Sequence, residues 1–189
     1  MNIILCPGIH EPDLTQSFVS ALMEQASPGA TDGTVNILIF PTKNYSNLLP
    51  FHIFQFLHER LRNRLESPVV FISFSAGVVG AIFAAHMWQI FGGRVEAFIA
   101  IDGWGVPLWG HFPIHRMSHD YFTHWSSSLL GSGQTNFYAD PSVDHLAMWR
   151  SPNIVRGYWV DSYRGELSPK ECLSASEFLH SLIQHYQEN

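Results

Sequence analysis

Pro68-Val69-Val70-Phe71-Ile72-Ser73-Phe74-Ser75-Ala76-Gly77-Val78-Val79-Gly80-Ala81-Ile82-Phe83-Ala84-Ala85 decides how this 189-residue chain is read. Val69 to Ile72 is a β-branched and aromatic run behind a proline, the composition of a strand covered on both faces of a parallel sheet. Small residues gather where the backbone must then reverse, and Val78 to Ala85 follows as a second apolar run. The stretch predicts a buried strand, a sharp turn carrying Ser75 and a buried helix, the central unit of an α/β fold. Ser67 to Gly93 contains no Asp, Glu, Lys or Arg, which a hydropathy window also scores as a membrane span. Its β-branched start behind Pro68 and its Ser/Gly-rich middle favour the strand and helix of a covered sheet instead.

Ser73-Phe74-Ser75-Ala76-Gly77 has the spacing of G-x-S-x-G, the nucleophile elbow, in which a strained strand-to-helix turn presents a serine hydroxyl at the carboxyl edge of a sheet. Ser73 stands where the first glycine is usual. The flanking positions must be small because helix and strand approach closely there, and serine is a tolerable departure.

Working outward, 46% apolar residues in 189 suit one domain able to bury a substantial core without disulfides or metals. Cys6 and Cys172 are the two cysteines; Cys6 falls in the first strand, and both read as unpaired thiols of a reducing compartment, with a cytoplasmic location as the default. Met1 to Gly8 has no basic region and runs straight into strand-like residues, so no signal peptide is expected. A net charge of −6, from 10 Lys+Arg against 16 Asp+Glu, argues against nucleic acid as a partner. No membrane partner and no cofactor are expected.

Asn2 to Cys6 reads as the first strand and Pro7-Gly8-Ile9-His10-Glu11-Pro12 as the loop after it. Asp13 with Gln16 can cap a helix whose buried face holds Leu14, Phe18, Ala21 and Leu22, ending near Ser27-Pro28-Gly29. Val35 to Phe40 is the next strand, with Pro41 to Asn47 as its outgoing loop, and Ile53, Leu57, Leu61 and Leu65 mark a second helix. After the elbow helix, Gly92-Gly93 breaks the chain and Val95 to Ile101 forms a strand with Asp102 at its end. Segment 103–133 lacks clear periodicity and carries Trp104, Trp109, Phe112, Tyr121, Phe122 and Trp125, so it is expected to be a lid or pocket insertion, with Trp104, Trp109 and Phe112 lining the substrate pocket. Its aromatics suit a homodimer contact equally well. His111, His115 and His119 would share one face of a helix, with Asp120 alongside and His124 beyond, an arrangement that invites a metal; Pro107 and Pro113 interrupt it, so packing or hydrogen-bonding histidines and no metal are expected. Gln134 to Tyr138 is the next strand. Two helices follow, the first from Ser151-Pro152 and the second behind a capping box at Ser168-Pro169-Lys170-Glu171, burying Ala175, Phe178, Leu179, Leu182, Ile183 and Tyr186.

Ser75, Asp102 and His145 thus each end or closely follow a strand, and their order along the chain is the Ser…Asp…His order of one well-known arrangement. In that arrangement His145 takes the hydroxyl proton, Asp102 holds the imidazole tautomer and stabilises its cation, and backbone N–H groups of Ala76 and of Ile9 or His10 bind the oxyanion. Asp140, five residues before His145, is the alternative acid.

The chain resembles the α/β-hydrolase family over nearly its whole length, and within it the serine thioesterases and small lipase-like or esterase-like hydrolases. The resemblance rests on Ser73-Phe74-Ser75-Ala76-Gly77, on Ile99-Ala100-Ile101-Asp102, and on Asp144-His145-Leu146-Ala147-Met148, which is similar to the D-H-F-x-M stretch around the thioesterase histidine. It implies a compact three-layer α/β/α sandwich with a mostly parallel central sheet, and an enzyme that cleaves a small-molecule carboxylic ester or thioester through an acyl-enzyme on Ser75. The oxyanion loop lacks the usual H-G-G, and a binding module with little turnover is the competing expectation.

Overall fold

The computed structural model describes residues 1–24, 35–42, 48–61, 64–161 and 171–188. Eight strands form one sheet: β1 (Asn2–Cys6), β2 (Asn36–Ile39), β3 (Val69–Phe74), β4 (Val95–Ile101), β5 (Ile114–Ser118), β6 (Thr135–Ala139), β7 (Arg156–Asp161) and β8 (Glu171–Ser174). Their order in space is β2-β1-β3-β4-β5-β6-β7-β8. β1 to β6 run parallel, and β7 and β8 complete one edge antiparallel. Six helices are described: α1 (Pro12–Glu24), α2 (Pro50–Leu61), α3 (Gly77–Ile90), α4 (Tyr121–Ser128), α5 (Ala147–Arg150) and α6 (Ala175–Glu188).

Because side chains alternate along a strand, β1 feeds two cores. Ile3 and Leu5 pack with Phe18 and Leu22 of α1 and Phe178 and Leu179 of α6, while Ile4 and Cys6 pack with Ile53 and Leu57 of α2 and Val78 and Ala81 of α3. The sheet therefore carries helices on both faces, an arrangement compatible with three layers. The chain leaves β1 for β2 on one side and returns to β3 on the other, so the β1 and β3 loops diverge at the carboxyl edge, where a sheet of this kind opens a crevice.

Several sequence expectations are corrected. Segment 103–133 is no insertion, since it contains β5, hydrogen-bonded between β4 and β6, and α4. Its strand escapes hydropathy because His115, Arg116 and Ser118 are buried polar residues. Arg116 spends its guanidinium on carbonyl oxygens, donating from Nε to Gly131 at 2.7 Å and from Nη2 to Val106 at 3.1 Å and Leu130 at 3.2 Å. Burial pulls its pKa down to about 10. No helix starts at Ser151-Pro152, because Arg156–Asp161 pairs with β6 as β7. The last helix is capped by Ser174 and Glu177: the Glu177 N–H donates to Ser174 Oγ at 3.2 Å and the Ser174 N–H to Glu177 Oε2 at 2.6 Å. Its buried stripe is the expected one. α1 begins at Pro12, which leaves Asp13 inside the first turn. The expected breaks at Ser27-Pro28-Gly29 and 43–47, with residues 168–170, lie outside the described residues.

Candidate functional site

β3 is buried at every residue, and the turn after it holds Ser75 at φ 52°, a left-handed conformation that a serine adopts only where its surroundings impose it. Two neighbours impose it. The Ser75 N–H donates to the Ile101 carbonyl at the end of β4, at 2.9 Å. Gly77 starts α3 so close to β1 that a Cβ there would collide with the Cys6 and Pro7 carbonyls. Ser73 fits because its buried hydroxyl donates to the Ile99 carbonyl of β4 at 3.3 Å.

Asp102 leaves β4 at φ 51°, a region aspartate tolerates better than most residues. It is 5% exposed, and its backbone N–H donates to Met117 of β5 at 2.8 Å. Its carboxylate is divided between two loops. Oδ1 accepts the His119 backbone N–H at 2.8 Å, and Oδ2 lies 2.9 Å from His145 Nδ1. His145 is carried by the loop after β6, which is tied down where the Val143 N–H donates to the His119 carbonyl at 3.0 Å. Phe74 stacks under the His145 ring at 4.7 Å, with Trp149 behind it at 5.1 Å. Nε2 of His145 then lies 2.9 Å from Ser75 Oγ. Ser75, His145 and Asp102 are therefore one hydrogen-bonded chain assembled from the ends of β3, β6 and β4.

Asp140 takes no part in that chain. It borders a separate depression with Asp120, Tyr121 and Tyr138, and the carboxylate that meets His145 is that of Asp102. The cleft over Ser75 measures about 400 Å³ and is lined by Ala76, Val79, Trp104, Val106, His119 and Thr123 together with Ser75, Asp102 and His145. Trp104 is where the sequence predicts it, held by its Nε1–H donating to Ser126 Oγ at 3.0 Å. Trp109 and Phe112 are not: Phe112 is buried in the core against His86 and Phe98, and Trp109 packs over His86 and Phe83 of α3. Those aromatics are consumed by covering α3, whereas Val79, Val106 and Thr123 face the cleft.

Of the two backbone donors expected, Ala76 lines the cleft at the head of α3, and its N–H makes no hydrogen bond among the described residues. Ile9 is exposed, and His10 turns Nδ1 to the Glu11 carbonyl at 2.9 Å; neither side chain lines the cleft. The loop nonetheless passes alongside Ser75, since a Cβ on Gly8 would stand 3.0 Å from the serine Cβ.

His119 was legible only as a metal-type histidine, not as a neighbour of Asp102. The helical face that would have grouped His111, His115 and His119 does not form: His115 is buried in β5 between Thr135 Oγ1 at 2.7 Å and Tyr186 Oη at 2.7 Å, and burial lowers its pKa to about 4. His111 sits in an exposed bend. His119 instead directly follows β5, next to the strand that Asp102 follows, and brings Nδ1 to 3.0 Å from Asp102 Oδ2. The contact is an ion pair when the ring is protonated and lies outside ordinary hydrogen-bond geometry. The Asp102 carboxylate, with Asp120 and Asp144 nearby, raises the His119 pKa above its ordinary value. The signal available in the sequence was position, one strand over from Asp102 at the same sheet edge.

No family model matches the chain, and no relative is found among curated proteins. Among the described residues, no helix is long and apolar enough to cross a membrane.

Proposed function

We propose that the chain is a serine hydrolase of the α/β-hydrolase type, cleaving a carboxylic ester or thioester through an acyl-enzyme on Ser75. One observation carries this reading: the unbroken Ser75–His145–Asp102 chain, with 2.9 Å at each link, on a left-handed serine at a strand-to-helix turn. A binding module has no need of a serine coupled to a histidine base, and the 2.9 Å link supports the enzyme over it.

In this mechanism Ser75 Oγ attacks the acyl carbon while His145 Nε2 takes its proton. The buried Asp102 carboxylate keeps the other proton on Nδ1 and stabilises the imidazolium. The Ala76 N–H, at the positive end of α3, faces the developing oxyanion, and the loop at Gly8 supplies the second donor. Collapse of the tetrahedral intermediate expels the alcohol or thiol, which receives the proton from His145. Water, deprotonated by His145, then repeats the sequence on the acyl-enzyme and frees the acid. Val79, Val106 and Trp104 make the cleft wall apolar, which suits a short apolar acyl group. Unpaired Cys6 and Cys172 accord with a reducing, cytoplasmic setting.

The test is labelling of purified protein with a fluorophosphonate probe, with mass mapping of the modified residue. Labelling at Ser75 that Ser75→Ala and His145→Ala both abolish is expected. Folded wild-type protein that takes no label refutes the proposal.

A further inference from the structure

The geometry points to a zinc-binding site made of Asp102, His119 and His145, whose occupation switches Ser75 off. Metal binding itself does not depend on the proposed hydrolase activity, whereas the effect on Ser75 rests on it.

Three groups from three strand-end loops converge here, with one ligand atom of each within 4.8 Å of the others. Asp102 Oδ2 is the hub, 2.9 Å from His145 Nδ1 and 3.0 Å from His119 Nδ1. Tetrahedral zinc with bonds of about 2.0–2.1 Å separates its ligands by about 3.3 Å, so the two Asp102–histidine pairs need to spread by only a few tenths of an ångström, with the two imidazoles starting within 4.8 Å of each other. Two imidazoles and a carboxylate are a donor set suited to that ion.

His119 is the informative member. Its buried Nδ1 lies 3.0 Å from the Asp102 carboxylate without an aligned hydrogen bond, so the two groups face a common point that a cation could occupy. Its other nitrogen, Nε2, lies 3.4 Å from Asp120 Oδ2. Asp120 is fixed in turn, because its Oδ1 caps α4 by accepting the Thr123 N–H at 2.6 Å. A carboxylate behind a histidine, orienting the ring toward a metal, is the usual outer-shell support of such sites. Asp102 is likewise oriented, its Oδ1 occupied by the His119 N–H. All three ligands line the cleft, which leaves the fourth position open to water.

Zinc on His145 Nδ1 reverses the imidazole tautomer. The Nδ1 proton leaves through solvent and one returns to Nε2, so the ring stays neutral. Nε2 then carries a hydrogen toward Ser75 Oγ and has no lone pair with which to take the serine proton. The serine loses its base with no change of fold.

The experiment titrates Zn²⁺ into chelator-stripped protein by calorimetry and follows fluorophosphonate labelling of Ser75 with zinc and with EDTA. One ion per chain is expected for wild type and for Ser75→Ala. Asp120→Asn, which keeps the helix cap, should bind about 10–100-fold more weakly. His119→Gln should lose the site, with circular dichroism confirming its fold. Labelling should be suppressed by zinc, restored by EDTA, and insensitive to zinc in His119→Gln. Absent binding, binding that His119→Gln leaves intact, or labelling that zinc leaves unchanged overturns the inference. Zinc bound through His119 in a wild-type protein that takes no label in EDTA supports the metal site and refutes the hydrolase.

Discussion

Asp102→Asn separates the two candidate acids and tests the electrostatics of the site. Asp102 meets His145 at 2.9 Å with its own side chain 1% exposed and that of His145 41% exposed. At that separation and an effective dielectric near 20, a carboxylate attracts an imidazolium by about 6 kcal/mol. Screening on the open side of His145 trims this to about 4 kcal/mol, roughly a thousandfold in rate. Asparagine adds a second penalty, because its Nδ2 donates to the imidazole and favours the tautomer whose Nε2 cannot accept the serine proton. The combined loss is expected at about 10³–10⁴-fold in Ser75 acylation, read as the rate of fluorophosphonate labelling in EDTA. The fold should survive, since asparagine tolerates the φ of 51° and its Oδ1 still accepts the His119 N–H. A thermal midpoint within about 4 °C of wild type is expected. Asp140→Asn should label within about twofold of wild type, as a change away from the reacting groups. An Asp102→Asn protein that keeps a tenth of the wild-type rate, or an Asp140→Asn protein that loses as much as Asp102→Asn, refutes the assignment.

Other consequences follow from single contacts. Gly77→Ala drives a methyl into the Cys6 and Pro7 carbonyls and should destabilise by about 3 kcal/mol, measured by urea unfolding, because backbone on both sides cannot yield. Tyr186→Phe strands the buried Nε2 of His115 and should cost about 1–3 kcal/mol in the same assay. His115 has a folded pKa of about 4 against an ordinary 6.5, so the unfolded chain binds more protons across that interval. Its contribution to stability is present above pH 6.5 and is lost as pH falls toward 4. His115→Gln should flatten that part of the stability profile, and an unchanged slope would sink the assignment. Val79→Trp fills the apolar wall of the cleft and should slow hydrolysis of longer p-nitrophenyl acyl esters more than of the acetate, a comparison of kcat/KM values across chain lengths.

Much of the fold was legible because it is written in local terms. β1, β3, β4 and β6 are short apolar runs, and α2 and α6 repeat their buried residues at helical spacing. The Ser75 turn announced itself by small residues between a strand and a helix, and Asp102 and His145 by following strands. What failed was polar burial. β5 was unreadable because its histidine, arginine and serine point into the protein, and their cost is met by Tyr186, Thr135 and the carbonyls of Val106, Leu130 and Gly131, all distant in sequence. β7 and β8 were missed for a related reason, since pairing antiparallel on a sheet edge depends on β6 being there to receive them.

The sequence by itself determined which residues are candidates for chemistry and where the backbone must turn, because elbow spacing and strand-end position are properties of a few consecutive residues. The tertiary structure alone decided which of them meet. Asp102, and not Asp140, meets His145 because β4 ends across from Met117 and opposite the loop bearing His145. His119 joins them because β5 ends one strand over, a neighbourhood set by the sheet order. The cleft is walled by Val79 and Val106 because Trp109 and Phe112 are committed to covering α3. Contacts between residues 17 to 70 positions apart in the chain exist only once the sheet has formed.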